Sequence, residues 1–193
     1  MSFVSKLLLP MAVLFSHPVL SQWKASWISV PGINPHGYGV YWFRQCQSLS
    51  AVPDSLPVFV SADNRYKLFV NGQLVSLGPA RGDIPHWRFA TVNLAPYLRV
   101  GSNCIAAQVW NEGNDKPEAQ PSLRTAFILE AATDEGGVWD TDTAWECRAD
   151  SGYSPIRVHL PFYYVAGPGE YQDMRRHIGA ADVPQSGGPE WRH

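Results

Sequence analysis

Residues 78–87 bring together side chains suited to holding a hydroxylated ring. Arg81, Asp83 and His86 supply planar or polar groups that exchange hydrogen bonds with hydroxyls, and Trp87 offers an aromatic face beside them. Saccharide recognition asks for that pairing, because a pyranose lays its C–H surface on an aromatic ring and needs a few fixed polar partners for its hydroxyls. Gly82 and Pro85 mark the stretch as a loop, where binding groups are commonly carried by a rigid scaffold. The structural alternative is that Trp87 opens a strand and is buried, with Arg81 and Asp83 closing the loop as an ion pair.

Two further sets flank this loop. Asp63 and Asn64, followed by Arg65, fall between strand-like runs. They would line a neighbouring site or form a turn in which the side chain bonds its own backbone. Trp110 and Asn111, followed by Glu112, end a strand and open the long loop 113–122, at the edge of a cleft or, for Trp110, in the core. No catalytic set emerges. Glycoside hydrolysis uses two carboxyl groups at a fixed separation, and among 17 Asp+Glu the sequence singles out no pair. No Ser, Cys or His stands in a nucleophile motif. Metal ligation finds no CxxC, no His/Cys spacing and no Asp-x-Asp-x-Asp loop, and Asp140-Thr141-Asp142 is too short to argue from. The expected cofactor is therefore none, with a structural calcium ion left open.

Strands must position these groups. Past the N-terminus no 3.6-residue apolar period is sustained, whereas β-branched and aromatic runs recur at 40–46, 56–62, 66–70, 74–77, 86–93, 103–110, 125–131, 143–148 and 156–165. Several stand about ten residues apart, which predicts an all-β sandwich or jelly roll. Between 66–70 and 74–77 stands Asn71-Gly72, the pair that tolerates positive φ at both centres of a type I′ turn, so Asn71 reads as a turn residue. Gly101 is expected to reset the chain direction before the strand at 103–110. Cys46, Cys104 and Cys147 each fall in an apparent strand and permit at most one disulfide, with no pair singled out.

Composition bounds the partners. A net charge of −2 with no basic run gives no electrostatic basis for nucleic-acid binding. The first 21 residues read as a secretory signal, with Lys6 ahead of an apolar run at 7–15 and Val19-Leu20-Ser21 at the cleavage site. That run is too short to span a bilayer, so a secreted or periplasmic protein with no membrane segment after signal removal is expected. Residues 22–165 would then be one β-sandwich domain. Residues 166–193, rich in Gly and Pro, would be a linker or the start of a next segment, in which Trp191 has nothing local to pack against.

Several segments in order resemble the N-terminal β-sandwich of bacterial α-L-rhamnosidases of the family 78 type. They are Trp23-Lys24-Ala25-Ser26-Trp27-Ile28, Tyr41-Trp42-Phe43-Arg44, the run from Ser61 to Gly72, Gly78-Pro79-Ala80-Arg81-Gly82-Asp83 with His86-Trp87, Leu94-Ala95-Pro96-Tyr97-Leu98, Gly101-Ser102-Asn103 and Val109-Trp110-Asn111-Glu112-Gly113. The resemblance spans roughly 23–170. It implies a galactose-binding-like jelly roll that is non-catalytic and precedes an (α/α)6 barrel carrying the catalytic carboxylates. A barrel of that kind needs several hundred residues, so this sequence would hold the module without it. The implied partners are a rhamnose-containing glycan or a catalytic glycosidase domain. Ala90 and Asn93 stand where the family leads one to expect an acidic residue, so no role for those carboxylates carries over.

Overall fold

A computed structural model describes residues 23–156, 167–180, 182–183 and 191–193. The expected signal over 1–21 lies outside them. The strands are β1 (Gly39–Leu49), β2 (Pro57–Ala62), β3 (Arg65–Val70), β4 (Gln73–Gly78), β5 (Ala90–Asn93), β6 (Gly101–Asn111), β7 (Phe127–Ala131), β8 (Glu146–Ala149), β9 (Tyr153–Ile156) and β10 (Gly169–Gln172). Short 3-10 turns stand at Ala95–Tyr97, Gly113–Asp115 and Asp134–Trp139. Among the described residues no helix is long and apolar enough to cross a membrane.

The strands form two antiparallel sheets, β4-β3-β6-β1-β8 and β5-β2-β7, packed as a sandwich, with β9-β10 as a separate ribbon. The all-β, jelly-roll sandwich expected from the run spacing is the observed fold. Its longest ladder joins β1 to β6 without a slip, from Gly39 opposite Asn111 to Leu49 opposite Gly101. Strand alternation then sorts the side chains, since successive residues point to opposite faces. Tyr41, Phe43, Tyr66, Leu68, Ile105, Ala107 and Val109 point inward and meet Val58, Val60, Phe127 and Leu129 of the smaller sheet. Phe43 and Phe127 stack across the two sheets with ring centroids 5.6 Å apart.

The Asn-Gly hairpin forms as its residues require. Asn71 has φ 54° and Gly72 φ 82°, and Val70 pairs directly with Gln73. The Asn71 side chain then ties the turn to the next strand. Its Oδ1 accepts from the Cys104 backbone N–H at 3.0 Å, and its Nδ2 donates to the Tyr97 carbonyl at 3.0 Å. Gly101 takes φ 91°, the left-handed conformation expected where the chain resets. Cys46 and Cys104 face each other across β1 and β6 and form a disulfide, while Cys147 is a buried free thiol.

Two expectations change. Residues 86–89 are not strand, because Asp83 and His86 close a turn of their own, and β5 begins only at Ala90. Likewise Thr143 to Trp145 form a turn ahead of β8. The expected strand at 156–165 is met only at Ile156, the end of β9, and its other residues lie outside those described.

The largest difference concerns 166–193. Several of its described residues pack on the sandwich. Ile178, Val183 and Trp191 cover Trp42, Phe69 and Ala106 on the outer face of the five-stranded sheet. Arg44 donates to the Val183 carbonyl, pairs with Glu146 at 2.7 Å and sets its guanidinium 3.9 Å from the Trp191 ring. Arg192 and Cys147 exchange backbone hydrogen bonds at 2.7 and 2.9 Å. Buried Asp150 gathers the Trp42 indole N–H, the His177 ring and the Ile178 amide. The physical reason lies in β1, β3 and β6. Their outward positions include large apolar groups, so this sheet has two faces to remove from water and the later chain supplies the second cover.

Replacing Trp191 by Ala is expected to lower unfolding free energy by about 3 kcal/mol, read as a fall in the urea midpoint. Burial raises the phenols of Tyr41, Tyr66 and Tyr153, and it pushes Tyr38 up to about 12. The unfolded chain releases those protons near pH 10, so stability falls as pH rises from 10 toward 12. Chemical denaturation followed across that range, with phenolate absorbance recorded in parallel, checks the direction.

Candidate functional site

The candidate residues gather at one end of the sandwich, where β2 hands the chain to β3 in the other sheet. Asp63 and Asn64 make that corner. Asn64 adopts φ 68°, a conformation Asn tolerates better than most residues, and accepts from the Glu112 amide at 3.1 Å. Asp63 is 2% exposed, and its carboxylate accepts from Asn64 Nδ2 at 2.7 Å, Ser122 Oγ at 2.7 Å and the Leu123 and Arg124 amides at 2.6 Å each. Asn111 is equally buried. Its Oδ1 accepts from Gly113 N–H at 2.8 Å and its Nδ2 donates to Thr125 Oγ1 at 3.1 Å. These three side chains hold the loops, and Asp63 and Asn64 do so through residues 112 and 122–124 rather than through a turn that bonds their own backbone.

The loop 79–88 is different. Arg81, Asp83 and His86 are exposed, and Trp87 is half-buried. The Asp83 carboxylate accepts from the His86 amide at 2.8 Å and meets His86 Nδ1 at 2.7 Å, so the ion pair of this loop is Asp83 with His86 and not Arg81 with Asp83. Trp87 does not start a strand. Its indole N–H donates to the Ala62 carbonyl at 3.3 Å, and its ring stands edge-on to Trp27 at 6.4 Å.

Trp27 and Trp87, with Ile84, Leu123 and Arg124, line a groove of about 270 Å³ floored by Asp63 and Ala126. Trp27, Ile84 and Leu123 remain 44%, 53% and 52% exposed, a concentration of open apolar surface that a folded domain seldom leaves without use. Trp27 faces outward by alternation, because Ile28 beside it bridges Phe127 and packs on the core. Sequence reading did not single out Trp27, Ile84, Leu123 or Arg124. An isoleucine flanked by Asp83 and Pro85 in a polar loop was the available signal. Leu123 and Arg124 carried none, since only the Asp63 hydrogen bonds bring them to Trp87.

Trp110 belongs to neither group. It is half-buried on the outer face of the five-stranded sheet, with Lys67 Nζ 5.4 Å from its ring centroid. It shares a second pocket, of about 440 Å³, with Arg65, Lys67, Leu77, Pro79 and Arg81. Beside it lies Glu112, whose carboxyl is raised by burial, with Arg65 and Arg81 opposing the shift. Its Oε2 has no hydrogen-bond partner among the described residues. Among those residues no cluster of three or more His, Cys, Asp or Glu is placed to hold a metal ion.

Fold and site together define a two-sheet β-sandwich with an aromatic groove at its loop end. Solved structures similar to it include the family 78 rhamnosidase of Bacillus sp. GL1, at a TM-score of 0.75 and 26% identity over 88% of this chain and 18% of that one. The α-L-rhamnosidase of Dictyoglumus thermophilum aligns at 0.63 and 17% over 88% and 20%. The Streptomyces avermitilis α-L-rhamnosidase, solved with L-rhamnose, aligns at 0.50 and 21% over 87% and 15%. The resemblance read from the sequence thus holds in three dimensions, and this chain spans about a fifth or less of the enzymes it resembles. No sequence profile of a known family matches the chain, and no curated protein matches it.

Asp63→Ala leaves four donors at the corner without their charged acceptor. It is expected to cost about 3 kcal/mol or more in urea unfolding. Amide exchange should accelerate in 113–125 ahead of the β1 and β6 ladder.

Proposed function

We propose that the chain is a non-catalytic glycan-recognition module of rhamnosidase-type architecture, exported from the cell and working beside a catalytic barrel. The observation that carries it is the Trp27 and Trp87 groove. It offers two partly exposed indoles, with Arg124 in its lining and the Asp83–His86 pair in the same loop as Trp87. That is the combination a pyranose requires. The likeness to part of family 78 rhamnosidases supports a rhamnose-bearing glycan as the ligand class. The signal-like sequence of 1–21 and the Cys46–Cys104 bridge support an oxidising compartment.

The acids nearest the groove are engaged elsewhere. Asp63 accepts four hydrogen bonds and Asp83 is paired with His86. Neither stands ready to protonate a glycosidic oxygen, which favours binding over hydrolysis. A second reading, docking of the sandwich on a catalytic partner without sugar binding, is favoured by an aromatic cluster around the smaller sheet. There Phe59 and Phe89 lie 5.4 Å apart, Trp23 packs edge-on to both, and Phe89 is 52% exposed.

Calorimetric titration with L-rhamnose and rhamnosylated oligosaccharides tests the first reading. Binding is expected, with Trp87→Ala weakening it by about tenfold or more and Trp87→Phe retaining most of it. Absence of binding to every such sugar leaves the docking reading. No nitrophenol should be released from p-nitrophenyl rhamnoside, and turnover abolished by a single carboxylate substitution would overturn the non-catalytic assignment.

A further inference from the structure

The second pocket has a chemistry of its own. Arg65 and Lys67 alternate with Tyr66 and Leu68 along β3, so both cations point to the outer face while their neighbours fill the core. Register places Arg65 opposite Trp110 on β6, and Lys67 between Gln108 on one side and Leu77 on the other. Arg81 closes the pocket from the loop 79–88. Three cations therefore share one pocket with a half-buried indole, and among the described residues no acid lines the space with them. Glu112 is the neighbouring acid on which Arg65 and Arg81 act, and Glu170 acts on Glu112 in turn. Glu112 is half-buried beside the pocket and does not occupy it.

Like charges gathered in a concave site raise its potential and draw an anion, and Arg in particular matches the two oxygens of a carboxylate. The chain as a whole carries −2, which disfavours a polyanion and favours a ligand with isolated charges. Arg81 and Pro79 also line the narrow cleft under the loop that leads to Trp87, so the cationic pocket and the aromatic groove lie along one path. We infer that Arg65, Lys67, Arg81 and Trp110 form a subsite for the carboxylate-bearing ring of an acidic oligosaccharide, whose neutral neighbour lies at Trp87. This rests on the glycan-recognition reading and names the class of glycan.

The test compares the full chain binding three oligosaccharides of equal length by calorimetry: a neutral rhamnosyl-glucose type, its glucuronate counterpart and a sulfate ester of the neutral sugar. The glucuronate form is expected to bind about tenfold or more tightly than the neutral one. That preference should shrink at high salt and disappear in Arg65→Gln with Lys67→Gln, and separately in the exposed-residue variant Arg81→Gln. Equal affinity for neutral and acidic forms overturns the inference and leaves the recognition reading in place. A preference for the sulfate ester over the glucuronate overturns the carboxylate assignment. Failure of all three sugars to bind overturns the recognition reading itself, and the subsite with it.

Discussion

A carboxylate buried at the corner of two sheets holds the loop end of this molecule together. Asp63 sits where the chain leaves β2 and crosses to β3, and its removal from water would be costly if its lone pairs were unmet. They are met by one side-chain amide, one hydroxyl and two backbone amides. Those donors come from the adjacent corner and from residues 122–124, so one charge fixes both the crossing and the end of a long loop. The groove follows from this. Leu123 and Arg124 are presented by the amides that Asp63 binds, and Trp87 is seated on the carbonyl of Ala62 immediately before it.

The five-stranded sheet meets a second constraint, because part of its outer face is apolar as well as its inner one. Its inner face is closed by β5-β2-β7. Its outer face is closed over Trp42, Phe69 and Ala106 by Ile178, Val183 and Trp191. Buried polar groups hold that cover in place: Asp150 through Trp42, His177 and Ile178, and Arg44 through Glu146, Val183 and Trp191. The cover is partial. Further along the same face Lys67, Arg65 and Trp110 remain partly exposed and line a pocket, so one strand surface is core at Phe69 and open to solvent two residues earlier.

Two neighbouring surfaces thus carry complementary chemistries, one aromatic and one cationic, with Arg81 between them. Both are built from side chains on strands or on loops tied to strands. A binding surface supported this way loses little conformational freedom when a ligand orders it.

Much of the sandwich is legible in local pattern. The alternation along 40–46, 56–62, 66–70 and 103–110 calls for strands whatever surrounds them, and Asn71-Gly72 calls for a two-residue turn because few other pairs accept its backbone angles. The loop character of 79–88 was readable for the same local reason, from Pro79, Gly82 and Pro85. Three things were not readable. Whether Asp63, Asn64 and Asn111 serve a ligand or the scaffold depends on hydrogen-bond partners 14 to 61 positions away. The partner of Asp83 was settled by the turn that brings His86 over it. The packing of Ile178, Val183 and Trp191 depends on an apolar outer sheet face that alternation alone assigns to solvent. Periodicity and turn chemistry act over a few residues and so reside in the sequence. Burial, charge pairing and the meeting of Trp27 with Trp87 act between residues distant in the chain, and only closure of the two sheets brings those into contact.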